Sequence, residues 1–210
     1  VTSLEAALRQ IHSDLTEARV SFALIGGLAV SARTEPRFTR DADLAVALAS
    51  DAEAEALIHS LRVRGYSIEA VMEQQAVGRL ATVRLTRADV PQAPVVDLLF
   101  ASSGIEPEVV TDAEPMDLLA NLRIGVARTG HLIALKILSR DDVTRPQDLV
   151  DLRALLRVAP RAELARAQQA LSQIAARGYH RGRNLLAEMK TLVGLQSDRP
   201  IRRSKKPGGG

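Results

Sequence analysis

The chain has 210 residues, 46% of them apolar and 25% charged, with a formal net charge of +3 at pH 7 and no cysteine. That length and apolar fraction suffice for a buried core in one large domain or two small ones, and the absent thiols exclude disulfides, zinc fingers and cysteine nucleophiles. No run of about 18 uncharged apolar residues occurs, and VTSLEAALRQIHSDL alternates apolar with charged residues instead of showing the basic and apolar regions of a signal peptide, so a soluble, cytoplasmic protein with no membrane contact is expected.

Residues 3–18 carry Leu4, Ala7, Leu8, Ile11 and Leu15 at the spacing of an amphipathic helix. SFALIG reads as a short buried strand, GLAVSARTE as a helix starting at Gly26 and Gly27, and DADLAVAL as a strand of period two. DAEAEALIHSLRVRG is a helix with Asp51 as its expected cap and Gly65 as its end. GRLATVRLT and APVVDLLF are two further strands, the second so apolar that it belongs in the middle of a sheet. Beyond residue 106 the strand signal fades, save for an extended piece at LRIGVAR, and helical patterns dominate: GHLIALKILSR, PQDLVDLRALLRVA, RAELARAQQALSQIAARG and GRNLLAEMKTLVGL. Gly104, Pro107 and Pro115 punctuate the change. The expectation is an α+β protein: an α/β core over 1–105, a helical domain over 106–198 and a basic tail over 199–210. The tail, RPIRRSKKPGGG, holds five basic residues, and without it 23 basic residues stand against 25 acidic ones. It reads as a solvated segment, with non-specific contact to a polyanion as its alternative.

The chemistry concentrates between residues 23 and 48. Strand residues i and i+2 share a face, so Asp41 and Asp43 project two carboxylates side by side. Hard oxygen ligands of this kind suit Mg²⁺ or Mn²⁺ together with substrate phosphates. Asp97, charged on an otherwise buried strand, would complete a site for two metals about 4 Å apart, the arrangement that holds the attacking and leaving oxygens of phosphoryl transfer. Gly26 and Gly27, between strand and helix, let backbone amides approach a polyphosphate. Alone, the glycines are a tight turn and DAD a solvated loop; their order is what points to a nucleotide. Arg37 and Arg40, on the loop entering the aspartate strand, suit either phosphates or the negative patch of the aspartates. Lys136, embedded in the apolar HLIALKIL, and Arg140 four residues on would present charge to a triphosphate, although Arg140 also fits a surface place at a helix end. Asp148 and Asp151 share one face of a helix starting at Pro146, where acids are also favoured by the dipole, and Asp148 has the alternative of orienting Lys136. The four histidines and Tyr179 show no catalytic spacing.

GGLAVSARTEPRFTRDADLAV followed by VVDLLF resembles the nucleotidyltransferase superfamily typified by the DNA polymerase β palm, whose signature is Gly-Ser or Gly-Gly, a spacer, then Asp-x-Asp. PRFTRDADL, LIALKILSRDDVTRPQDLVDL and RGYHRGRNLL are similar to the AbiEii/AbiGii toxin family of bacterial toxin–antitoxin and phage-defence systems. The resemblance implies a palm-like mixed sheet with flanking helices, and transfer of NMP from an NTP to an acceptor with release of pyrophosphate. It makes Asp41, Asp43 and Asp97 the ligands of Mg²⁺ or Mn²⁺, with Asp97 also accepting the proton. Gly26, Gly27, Arg37, Arg40, Lys136, Arg140, Asp148 and Asp151 would surround the nucleotide, Lys136 acting in catalysis. A tRNA or other RNA acceptor and a cognate antitoxin are the implied partners. Gly27 departs from the serine of many superfamily members, leaving backbone amides to serve where a hydroxyl is missing. Antibiotic-type enzymes with small-molecule acceptors share the same frame, and a non-catalytic nucleotide-binding module is the remaining alternative. Five aromatic residues argue against a base-stacking platform.

Overall fold

In the computed structural model, residues 3–197 are described; the basic tail expected at 199–210 lies outside them. The apolar stripe of the first segment forms α1 (Ser3–Glu17), burying Leu8, Ile11 and Leu15, each worth about 1.5–3 kcal/mol of transfer free energy. β1 (Ser21–Ile25) passes without a linker into α2 (Gly26–Arg33), and β2 (Ala42–Ala47) follows. α3 (Asp51–Val63) is capped by Ser50, whose Oγ accepts from the Glu53 amide at 3.3 Å, and not by Asp51. Asp51 instead accepts from Arg79 Nε and the Leu80 amide. Then come β3 (Tyr66–Gln74), β4 (Arg79–Arg87), β5 (Val96–Leu99), α4 (Glu106–Thr111), β6 (Glu114–Leu119) and β7 (Leu122–Val126). Four helices end the described chain: α5 (Thr129–Ser139), α6 (Pro146–Val158), α7 (Arg161–Ala176) and α8 (Leu185–Ser197).

The strands form one mixed sheet in the order β3-β4-β5-β2-β1-β7-β6, with β2/β5 and β1/β7 parallel and the other pairs antiparallel. The α+β expectation therefore holds, and β5 lies inside the sheet as its apolar sequence demands. Two strands escape the sequence pattern, and both are edges. β3 exposes Val71 and Met72 and carries register shifts, so it lacks the alternation of a half-buried strand. β6 contains Pro115, which only an edge tolerates.

One apolar core runs from α1 through the central strands to α5, α6 and α7, including Leu24, Leu44, Leu98, Ile133, Leu155 and Ile174. The helices bearing the later motifs are tied to the sheet at β7. The Ala127 amide donates to Leu24 O at 2.9 Å, and Arg33 of α2 donates to Val126 O at 2.9 Å and Ala127 O at 3.0 Å. Gly130 lets α5 cross α7 closely, since a Cβ there would meet Glu163 O at 2.5 Å.

Candidate active site

Strand register builds the site. Ile25 pairs with Asp43, Asp43 with Asp97, and Asp97 with Arg84, across β1, β2, β5 and β4. Directly paired residues share a face, so two carboxylates and a guanidinium stand in a row beside the residue that precedes Gly26. Asp41 joins them two residues before Asp43. A cavity of about 630 Å³ opens here, lined among others by Gly26, Gly27, Arg37, Asp41, Asp43, Arg84, Asp97, Lys136 and Asp148.

The glycine turn is shaped around Asp43. Gly26 has φ +63°, and a Cβ on it would stand 1.8 Å from Asp43 Oδ2, so both conformation and space require glycine. Among the described residues, no hydrogen bond or ion pair is made by the Asp41 or Asp43 carboxylate. Burial pushes the Asp43 carboxyl up to about 6; Asp97 and Asp41 push the same way, and Lys136 and Arg145 oppose them.

Asp97 differs from its neighbour because it is already paired. It is 6% exposed, and Arg84 holds both its oxygens in a fork, Nε to Oδ1 at 2.9 Å and Nη2 to Oδ2 at 2.8 Å. The sequence reading missed Arg84. Its signal was the alternation of β4, where Ala81, Val83 and Leu85 are buried and Thr82 and Arg84 line the cavity, but its partner depends on register.

Gly27 is occupied from the other side. A Cβ there would meet Arg37 Nη2 at 2.8 Å and Thr39 Oγ1 at 2.9 Å. The arginine thus fills the space a serine side chain would need, which is the physical reason for glycine at this position. Gly27→Ser is expected to cost about 1–3 kcal/mol of stability through overpacking. Adding Arg37→Ala to it should recover part of that loss, with a coupling of about 1 kcal/mol in a denaturation cycle. Strict additivity would show that the two side chains do not compete.

Lys136 is buried and held by two acids, Nζ lying 2.6 Å from Asp148 Oδ1 and 2.9 Å from Asp151 Oδ2. Asp148 also accepts from Ser139 Oγ at 3.1 Å and pairs with Arg145 Nε at 3.2 Å. Asp151 accepts from Arg37 Nη2 at 2.8 Å and Gln147 Nε2 at 3.2 Å. Burial pushes the Asp151 carboxyl up, but Arg37 and Lys136 outweigh it and hold it below the ordinary carboxylate range. In this arrangement the helix-face acids hold Lys136, the alternative noted for Asp148, and Asp151 sits behind the lysine.

Two expected residues stand elsewhere. α5 ends at Ser139, and Arg140 turns out at φ −57°, ψ 126°, so the one-face relation to Lys136 is lost and the guanidinium forks onto Asp142 with Nε–Oδ1 at 2.6 Å. Arg40 lies over the Phe38 ring at 5.6 Å and lines a neighbouring groove that shares Arg37, Thr39 and Asp41 with the site. Cavity-lining Arg145 and Arg181 were not among the expected site residues.

For a hard divalent cation the donor set fits: Asp41 and Asp43 offer unpaired carboxylates at the turn, and Asp97 is next in register. Among the described residues, no three acidic or imidazole groups already form a metal-ligand cluster, and the Arg84 fork engages both Asp97 oxygens.

The family profile described as "Nucleotidyl transferase AbiEii toxin, Type IV TA system" matches residues 11–206. No curated protein matches the sequence. Among solved structures, an antigenic nucleotidyltransferase-like protein from Paracoccidioides brasiliensis is similar over 91% of this chain and 92% of its own, at 17% identity and TM-score 0.51, a likeness of fold. The lincomycin-bound lincosamide antibiotic adenylyltransferase LnuA aligns over 74% of this chain and 98% of its own, at 14% identity and TM-score 0.49. JHP933 from Helicobacter pylori aligns over 92% and 89%, at 15% identity and TM-score 0.46. A profile that runs from within the first helix to beyond the last places the chain in the AbiEii nucleotidyltransferase toxin family, within the toxin–antitoxin context, and its activity is nucleotidyl transfer.

Proposed function

We propose that the protein moves NMP from an NTP to a hydroxyl of an RNA acceptor, tRNA foremost, with Mg²⁺ or Mn²⁺, and that a cognate antitoxin restrains it. The observation that carries this reading is the pair of unpartnered carboxylates, Asp43 against the Gly26 turn and Asp41 two residues before it, both lining the cavity that Lys136 also lines. Asp41, Asp43 and, once freed, Asp97 would hold the cations. Bound there, divalent cations neutralise triphosphate charge and acidify an acceptor hydroxyl.

The residues divide the remaining work. Backbone amides at Gly26 and Gly27, at the positive end of α2, take phosphate oxygens. Lys136, fixed by Asp148 and Asp151, offsets the charge that builds on the leaving pyrophosphate. Asp97, released from Arg84, takes the proton of the attacking hydroxyl. The acceptor oxygen bonds to the α-phosphorus as the α–β bridging bond breaks, pyrophosphate leaves, and Asp97 passes its proton to water.

The test supplies each labelled NTP, Mg²⁺ and total RNA to the protein and to Asp41→Asn. Labelled RNA with the wild type and a fall of about a thousandfold in the variant are expected. Label transfer that persists in the variant would sink the cation-binding assignment. The adjoining groove, about 790 Å³ with Leu4, Leu8, Leu28 and Met116 on its wall and Asp41 at its edge, favours a second reading in which the acceptor is a small molecule. Incubation without RNA but with a hydroxylated small-molecule panel distinguishes the two.

A further inference from the structure

The turn between α7 and α8 brings a cation to the cavity that no acid neutralises. Arg181 and Gly182 lie at φ 54° and φ 71°, two successive left-handed residues, a conformation a non-glycine residue adopts only where its surroundings impose it. The turn sets Arg181 on the cavity wall with Gly26, Gly27, Lys136 and Arg145.

Charge pairing separates this arginine from the other cations of the cavity. Arg37 is paired with Asp151, Arg84 with Asp97, Lys136 with Asp148 and Asp151, and Arg145 with Asp148. The other arginines of the turn are also held: Arg177 by Glu108, and Arg183 by Glu188 and the Ile137 and Leu138 carbonyls. Arg181 has no hydrogen bond or ion pair among the described residues. Arg181 is an exposed residue whose partial desolvation pushes its pKa below the ordinary arginine value, and Arg183 and Arg145, both cationic, push the same way; at neutral pH it stays charged. Arg145 meets Asp148 through Nε, with its side chain 58% exposed. Two guanidiniums thus line the same cavity as the glycine turn and repel each other, an arrangement that an anion between them would relieve.

We propose that Arg181 and Arg145 form the subsite for the terminal phosphate of the NTP, the place where the site distinguishes a triphosphate from a diphosphate. The inference rests on the NTP reading above, in which Gly26, Gly27 and Lys136 hold the phosphates nearer the reacting centre.

Calorimetric titration of the full chain with α,β-methylene NTPs and the matching NDPs, in Mg²⁺, tests it without turnover. Arg181→Gln should weaken triphosphate binding about 10- to 100-fold, the loss of a charge-assisted contact, and leave diphosphate binding within about twofold. Arg181→Lys should restore part of the difference. Arg177→Gln, on the same turn but outside the cavity, should change neither. Equal weakening of both nucleotides by Arg181→Gln would overturn the subsite, as would triphosphate binding left unchanged. Wild-type protein that bound no nucleotide would overturn the NTP reading itself, and the subsite with it.

Discussion

Asp43→Asn is expected to make the metal-free protein more stable and to abolish transfer. Burial, with Asp97 and Asp41 beside it, raises the Asp43 carboxyl from 3.8 to about 6 in the folded chain. Between those values the folded state binds more protons than the unfolded one, so stability falls as pH rises through the window and stays lower above it. The full shift corresponds to about 3 kcal/mol. Asparagine, nearly the same shape against Gly26 but uncharged, should therefore gain about 1–3 kcal/mol at pH 8 and almost nothing at pH 4. Urea denaturation with EDTA at the two pH values measures this. A variant no more stable than the wild type at pH 8 would refute the raised carboxyl. Transfer should fall about a thousandfold, and Mg²⁺ should stabilise the wild type more than the variant, since a ligand stabilises the form that binds it.

Lys136→Met should act in the opposite direction. Asp148 and Asp151, 2% and 1% exposed, share this ammonium, and removing it leaves two buried carboxylates short of a partner. Breaking a buried pair costs about 3–5 kcal/mol, a large part of the stability of a domain. Arg145 and Arg37 remain to each acid, which points to the lower end of that range. The triple variant Lys136→Met, Asp148→Asn, Asp151→Asn should regain most of the loss, because neutral groups of matching shape replace the lysine and both acids, and the Arg37 and Arg145 side chains that lose their partners are 25% and 58% exposed. Its urea midpoint measures the recovery, and transfer should stay absent. A stable triple variant that transferred NMP would refute the assignment of Lys136 to the leaving pyrophosphate.

Much of the candidate site was legible because it lies on elements with strong periodicity. The apolar run before Gly26, the alternation around Asp43 and the apolar strand around Asp97 each identify a strand locally, and the last two carry one charged exception apiece, which suggests a shared face. Legibility ends where a residue's role is set by a distant partner. Arg84 is an ordinary strand arginine until β4 pairs with β5 in the register that sets it opposite Asp97. Arg37 reads as a loop cation, yet it also occupies the space beside Gly27. Arg140 leaves the face of Lys136 for a local reason: α5 stops at Ser139, one residue before the end of the helical segment GHLIALKILSR, and Asp142 captures the side chain. The edge strands β3 and β6 are obscure because an edge exposes what a central strand buries.

The bonds from Arg33 to the Val126 and Ala127 carbonyls bear on which parts of the molecule are fixed to one another. Only two residues separate α5 from β7, which pairs with β1, and α5 packs against α2. Lys136 and Gly26 therefore belong to one frame, and a hinged swing of the helices would have to break those bonds and open the core between α2 and α5. What is left outside that frame is local: the Arg84 fork on Asp97 and the connection carrying Thr144 and Arg145, both on the cavity wall.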